Sequence, residues 1–99
     1  MDAVDNIISI IKQRWTKDGL CIYFMYDNNK VDIVVGSLNN DLVATVCTIW
    51  SGYDLTYEGS IDTPTFRSIV KEMKPSKIYV TTVSDINKRI KPDIVILDW

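Results

Sequence analysis

The chain contains no histidine and only two cysteines. The first absence removes Ser–His and Cys–His nucleophile pairs, histidine-ligated zinc, and the side chain that ordinarily shuttles protons near neutral pH. Two cysteines cannot supply a four-thiolate zinc site. Cys21 and Cys47 each sit inside an apolar β-pattern. In a meander one intervening strand would separate them by about two spacings of ~4.8 Å, beyond the ~7 Å Cα limit for a bridge. The expectation is two buried free thiols in a reducing, cytoplasmic compartment. Long hydrophobic runs are also missing: no segment reaches the ~18 apolar residues of a membrane span. Asp2 and Asp5 stand where a secretory signal would carry positive charge. The sequence therefore reads as one soluble domain over residues 1–99 with no membrane partner and no cofactor, and any chemistry must run on carboxylates, lysines, tyrosines or a carboxylate-bound cation.

What is present is ordinary globular composition, 46% hydrophobic and 24% charged, enough to build a core without staples. Val4, Ile7, Ile8, Ile11 and Trp15 recur at helical spacing, with Asp2 or Asp5 suited to the start and Gly19 to the stop. Four strands follow. Leu20–Tyr26 and Leu42–Trp50 are apolar on both alternating faces, as expected for strands covered on two sides, and Val31–Val35 is similar apart from Asp32. Tyr53–Ile61 alternates, with Tyr53, Leu55, Tyr57 and Ile61 facing one way, and reads as a half-wet strand near an edge. Short polar loops and Ser51-Gly52 connect these runs as hairpins. Thr63-Pro64 opens a second helix with Phe66, Ile69, Val70 and Met73 as its buried stripe, and Pro75 stops it. A strand over Lys77–Val83, a brief helix capped by Ser84 and ended by Pro92, and a strand over Ile94–Leu97 complete the chain. The fold class is α+β, a mainly antiparallel meander sheet with an N-terminal helix, in the order α-β-β-β-β-α-β-α-β.

Three constellations are candidates for function. The first is electrostatic. Net charge is −2, yet residues 1–66 hold four basic and nine acidic side chains, whereas residues 67–91 hold seven basic and two acidic. Arg67, Lys71 and Lys74 fall on one helical stripe, suited to a phosphate or an acidic partner protein; a solvated helix face explains the same spacing. The second is aromatic: Trp50, Tyr53 and Trp99 lie at strand ends and could rim a protein interface.

The third is carboxylate. Lys77-Ile78-Tyr79-Val80-Thr81-Thr82-Val83-Ser84-Asp85 resembles the strand of RNase H-like nucleases that ends in an acidic residue opening a helix. Phe66-Arg67, then Lys91-Pro92-Asp93-Ile94-Val95-Ile96-Leu97-Asp98, is similar to a helix and strand of the endonuclease V branch. That resemblance implies Asp27, Asp85 and Asp98 as ligands of two Mg²⁺ ions about 3.5–4 Å apart. Turn and helix-cap roles account for the same aspartates. A restriction-enzyme-like core would need an acidic-x-Lys pair on its third strand, which Ala44–Ile49 does not supply.

The leading expectation is a small non-enzymatic interaction module, protein-binding and homodimeric, of the kind found as accessory proteins of viruses, phages or mobile elements. Edge pairing through the half-wet strand is the expected route to a dimer. An Mg²⁺-dependent nuclease and a nucleic-acid binder working through residues 67–91 are the alternatives.

Overall fold

The computed structural model describes residues 2–49 and 53–99. Helix α1 spans Ala3–Arg14, capped by the Asp2 carboxylate, which accepts from the Asp5 N–H at 2.8 Å. It stops at Arg14, well before Gly19. Gly19 (φ 83°) instead sits in the turn leading into the sheet, its N–H bonded to Thr16 O. Strands β1 (Leu20–Tyr26), β2 (Asn29–Leu38), β3 (Asp41–Ile49) and β4 (Tyr53–Ser60) form the meander. Helix α2 (Pro64–Met73), strand β5 (Lys77–Thr82), the short helix α3 (Val83–Asn87) and strand β6 (Asp93–Ile96) follow. The element order is the one read from the sequence.

The two described hairpin loops are tighter than the polar runs suggest. Tyr26 pairs with Asn29 and Leu38 with Asp41, leaving Asp27-Asn28 and Asn39-Asn40 as two-residue turns. All four residues have positive φ, between 50° and 64°. That conformation matches the right-handed strand twist and is tolerated by Asp and Asn. Strand β2 consequently runs for ten residues rather than ending at Val35.

The sheet has six strands in the order β4-β3-β2-β1-β5-β6, with every neighbouring pair antiparallel. β1 pairs with β2 along its whole length, but with β5 only from Leu20 to Tyr23. β4 and β5 point the same way on opposite sides of the meander, so α2 must cross one face of the sheet to join them. α1 lies on that same face. Ile7 and Ile11 of α1 and Phe66 and Val70 of α2 share one buried cluster with Leu20, Ile22, Phe24, Ile33, Val46, Ile78 and Val80. Ion pairs Arg67–Asp5 and Lys12–Asp62 tie the helical layer together, and Arg14–Asp93 ties it to β6.

This arrangement corrects the expectation that the central strands are covered on both sides. Both long helices occupy one face, and no described helix crosses the other. A second correction concerns β4. Val46 pairs with Tyr57 but Cys47 with Leu55, so Thr56 is an extra residue, a β-bulge. The bulge shifts the parity of the strand: Tyr57 stays on the helical face while Leu55 turns to the opposite one and is 59% exposed. Two helix details differ as well. Thr82 rather than Ser84 caps α3, accepting from the Asp85 N–H at 3.1 Å. Lys74 leaves the α2 stripe, because it is the C-cap in a left-handed conformation (φ 43°).

Candidate functional site: the open sheet face

The alternation of a strand sends every second side chain of β1, β2, β3, β5 and β6 away from the helices. On the open face this sets Cys21, Tyr23 and Met25 of β1 beside Val34, Asp32 and Lys30 of β2 by direct register, and Leu38 of β2 beside Asp41 of β3. Across the other edge of β1, Tyr23 faces Tyr79, and Tyr79 faces Ile94 of β6. Met25, Val34, Leu38, Leu55, Ile94 and Ile96 are 41–71% exposed, and all six project from this face. Scattered apolar residues at a surface mean little, but six on one side of one sheet, interleaved with Tyr23, Tyr79, Lys30, Asp32 and Lys77, give that face a mixed apolar and charged character.

At its middle, the rings of Tyr23 and Tyr79 stack with centroids 4.9 Å apart and planes 10° from parallel. The ammonium of Lys30 lies 4.7 Å from the Tyr23 centroid and that of Lys77 lies 5.3 Å from the Tyr79 centroid. Lys30 also pairs with Asp32 at 3.5 Å. These contacts hold four long side chains close to the sheet, so the patch is ordered before anything meets it. Cys21 is half-buried within it, and burial, with a lesser push from Asp32, raises its thiol above the usual range. Cys47 is buried, with β2 between the two, and both are free thiols.

The carboxylates read from the sequence do not converge. Because β1 and β5 are antiparallel, with Leu20 opposite Thr82, Asp85 follows the end of β5 that lies beside the start of β1. Asp27 follows the far end of β1, one strand length or about 20 Å away. Asp98, beyond β6, lies at the Asp27 end, with β5 between them. Two metal ions about 4 Å apart need their ligands at one end of the sheet. Among the described residues no group of three Cys, Asp or Glu side chains is placed to hold a metal ion. Asp27 serves as the first residue of a two-residue turn, and Asp85 lies in the first turn of α3.

Of the binding candidates, Arg67 is committed to Asp5 at 2.5 Å, which raises the guanidinium pKa further, while Lys71 is exposed on the same side of α2. The Trp99 indole N–H donates to Pro75 O at 2.7 Å. The Tyr53 backbone pairs with Ile49, and Trp50 and the hairpin expected at Ser51-Gly52 fall on residues outside the described ones. Sequence reasoning missed Tyr23, Tyr79, Val34, Leu55, Met25, Ile94 and Ile96. The one available signal was that Lys30, Asp32 and Lys77 interrupt otherwise apolar strands at open-face positions. No helix among the described residues is long and apolar enough to cross a membrane. No protein-family model, no curated protein and no solved structure matches the chain.

Proposed function

We propose that the protein is a non-enzymatic interaction module that works as a homodimer, the open sheet face of one copy packing on that of another. The observation that carries this is the set of exposed apolar side chains around the Tyr23–Tyr79 stack. Six strands about 4.8 Å apart and about 20 Å long present a face of roughly 500 Å² in projection, and more once side-chain relief is counted. That is of the same order as the ~800 Å² per partner of a standard stable interface.

Charge selects the occupant. The face carries two cations, Lys30 and Lys77, and three anions, Asp32, Asp41 and Glu58, a balance of −1. A two-fold axis sets each residue against another of the same patch, so a face with both signs is complementary to itself. A nucleic-acid strand would be served by a basic surface instead, and this one offers no excess of positive charge. The dimer would have four layers, helices–sheet–sheet–helices, with the sheets about 10 Å apart.

Light scattering across a wide concentration range tests the reading. The expected mass is twice the 11.3 kDa of the chain, and Val34→Lys gives a folded monomer with unchanged far-ultraviolet circular dichroism. A parent protein that stays monomeric throughout, or a Val34→Lys variant that still dimerises, refutes it. So does a monomer that binds single-stranded RNA and loses that binding on Tyr23→Ala with Tyr79→Ala.

A further inference from the structure

A cavity of about 450 Å³ opens in the helical layer, where the start of α1 meets α2 and Trp99. Its lining includes Asp2, Pro64, Arg67, Ser68, Lys71 and the Trp99 indole. That volume suits a small ligand rather than a water or an ion.

The chemistry of the lining is divided. Arg67, Ser68 and Lys71 stand at i, i+1 and i+4, within about one turn of α2. Arg67 gives one N–H to Asp5, which fixes its plane, and its other N–H groups remain as donors. Lys71 makes no ion pair with any described residue. The Ser68 hydroxyl adds a third donor from the same side. Trp99 supplies an aromatic wall that is already set: its N–H is bonded to Pro75 O, and the residue remains 42% exposed. Asp2 contributes an acceptor held in its ionised form by the Asp5 N–H, which lowers its pKa.

We infer that this cavity binds a small organic phosphate bearing a planar ring, of the mononucleotide kind. The ring stacks on the Trp99 indole, the phosphate oxygens accept from Lys71, Arg67 and Ser68, and Asp2 accepts from a ligand hydroxyl or amine. Each piece uses a group that the fold leaves with unspent capacity, and the two preset elements, the Arg67–Asp5 pair and the Trp99–Pro75 bond, lessen the ordering that binding requires.

The test is a titration with adenosine 5′-monophosphate, followed by ¹⁵N nuclear magnetic resonance at the Trp99 indole N–H and the Ser68 and Lys71 amides. Adenosine and inorganic phosphate are titrated separately as the two halves. The expected result is saturable shifts at these signals, with each half binding at least about tenfold more weakly, and Lys71→Gln weakening the nucleotide about tenfold. Lys71 is exposed, so that variant keeps the fold. Three results overturn the inference: unmoved signals at several millimolar nucleotide, inorganic phosphate binding as well as the nucleotide, or Lys71→Gln binding as tightly as the parent.

Discussion

Replacing Thr63 by valine removes a hydroxyl that holds three parts of the chain at once. The Tyr57 hydroxyl lies 2.7 Å from Ser60 O and 2.7 Å from Thr63 Oγ1. The Thr63 hydroxyl also lies 3.3 Å from Ser60 O, so the two hydroxyl hydrogens are shared among Ser60 O and the two hydroxyl oxygens, and Tyr57, Ser60 and Thr63 form one network. Thr63 Oγ1 in turn accepts from the Phe66 N–H at 3.1 Å, which is the N-cap of α2. Losing the cap costs about 1 kcal/mol and losing the bond to Tyr57 about 1 kcal/mol more. The sum corresponds to a fall of roughly 8–16 °C in Tm for a chain of this size. Tyr57→Phe loses the Ser60 bond and the same shared bond, for about 1–2 kcal/mol. Because one bond belongs to both, the double variant is expected to fall short of the sum of the singles by about 0.5–1 kcal/mol. Thr82→Val serves as the control, since its hydroxyl caps only α3 and should show no coupling to Tyr57. Urea unfolding of the four proteins measures the cycle. Full additivity of Thr63→Val and Tyr57→Phe would refute the network.

Two further outcomes are expected. At Gly59 an added Cβ would lie 2.9 Å from the Tyr57 hydroxyl and 3.2 Å from its ring carbon, so Gly59→Ala should cost about 1–3 kcal/mol in urea unfolding, with part recovered in a Tyr57→Phe background. Asp2 has its folded pKa lowered below 3.8, chiefly by the Asp5 N–H, so its stabilisation is present above that value and lost as pH falls through the lower folded one. Asp2→Ala should therefore lower the urea midpoint at pH 7, with the deficit shrinking as pH falls below 3.8 through the lower folded value; a deficit that does not shrink with acid contradicts the assignment.

The helices were legible because their apolar residues repeat every three or four positions and their caps are local. Thr63-Pro64 and Asp2 act within one turn of themselves, and the structure uses both in that way. The described hairpins were legible for the same reason, their turns needing only residues that tolerate positive φ. What failed to show depends on distant partners. A strand apolar on both faces looks identical whether its second face meets a helix, a second molecule or nothing in the same chain, so β1 and β3 gave no sign of the open side. The antiparallel sense of β5 against β1 is set by where α2 delivers the chain, and the local words around Asp85 carry no trace of it. The bulge at Thr56 is visible only once β3 supplies the register that β4 slips against.

The short union of β1 with β5 has a kinetic meaning. Every pairing inside β1–β4 closes a turn between neighbours in the chain, whereas this seam joins segments separated by the entire meander and α2. Its closure entropy is the larger, so β5, α3 and β6 should assemble last onto a finished platform and detach first from it. Tyr23 belongs to the platform and Tyr79 to the late arrival. Whatever covers both rings therefore latches the final quarter of the molecule in place, and amide exchange in β5 and β6 should slow when it does.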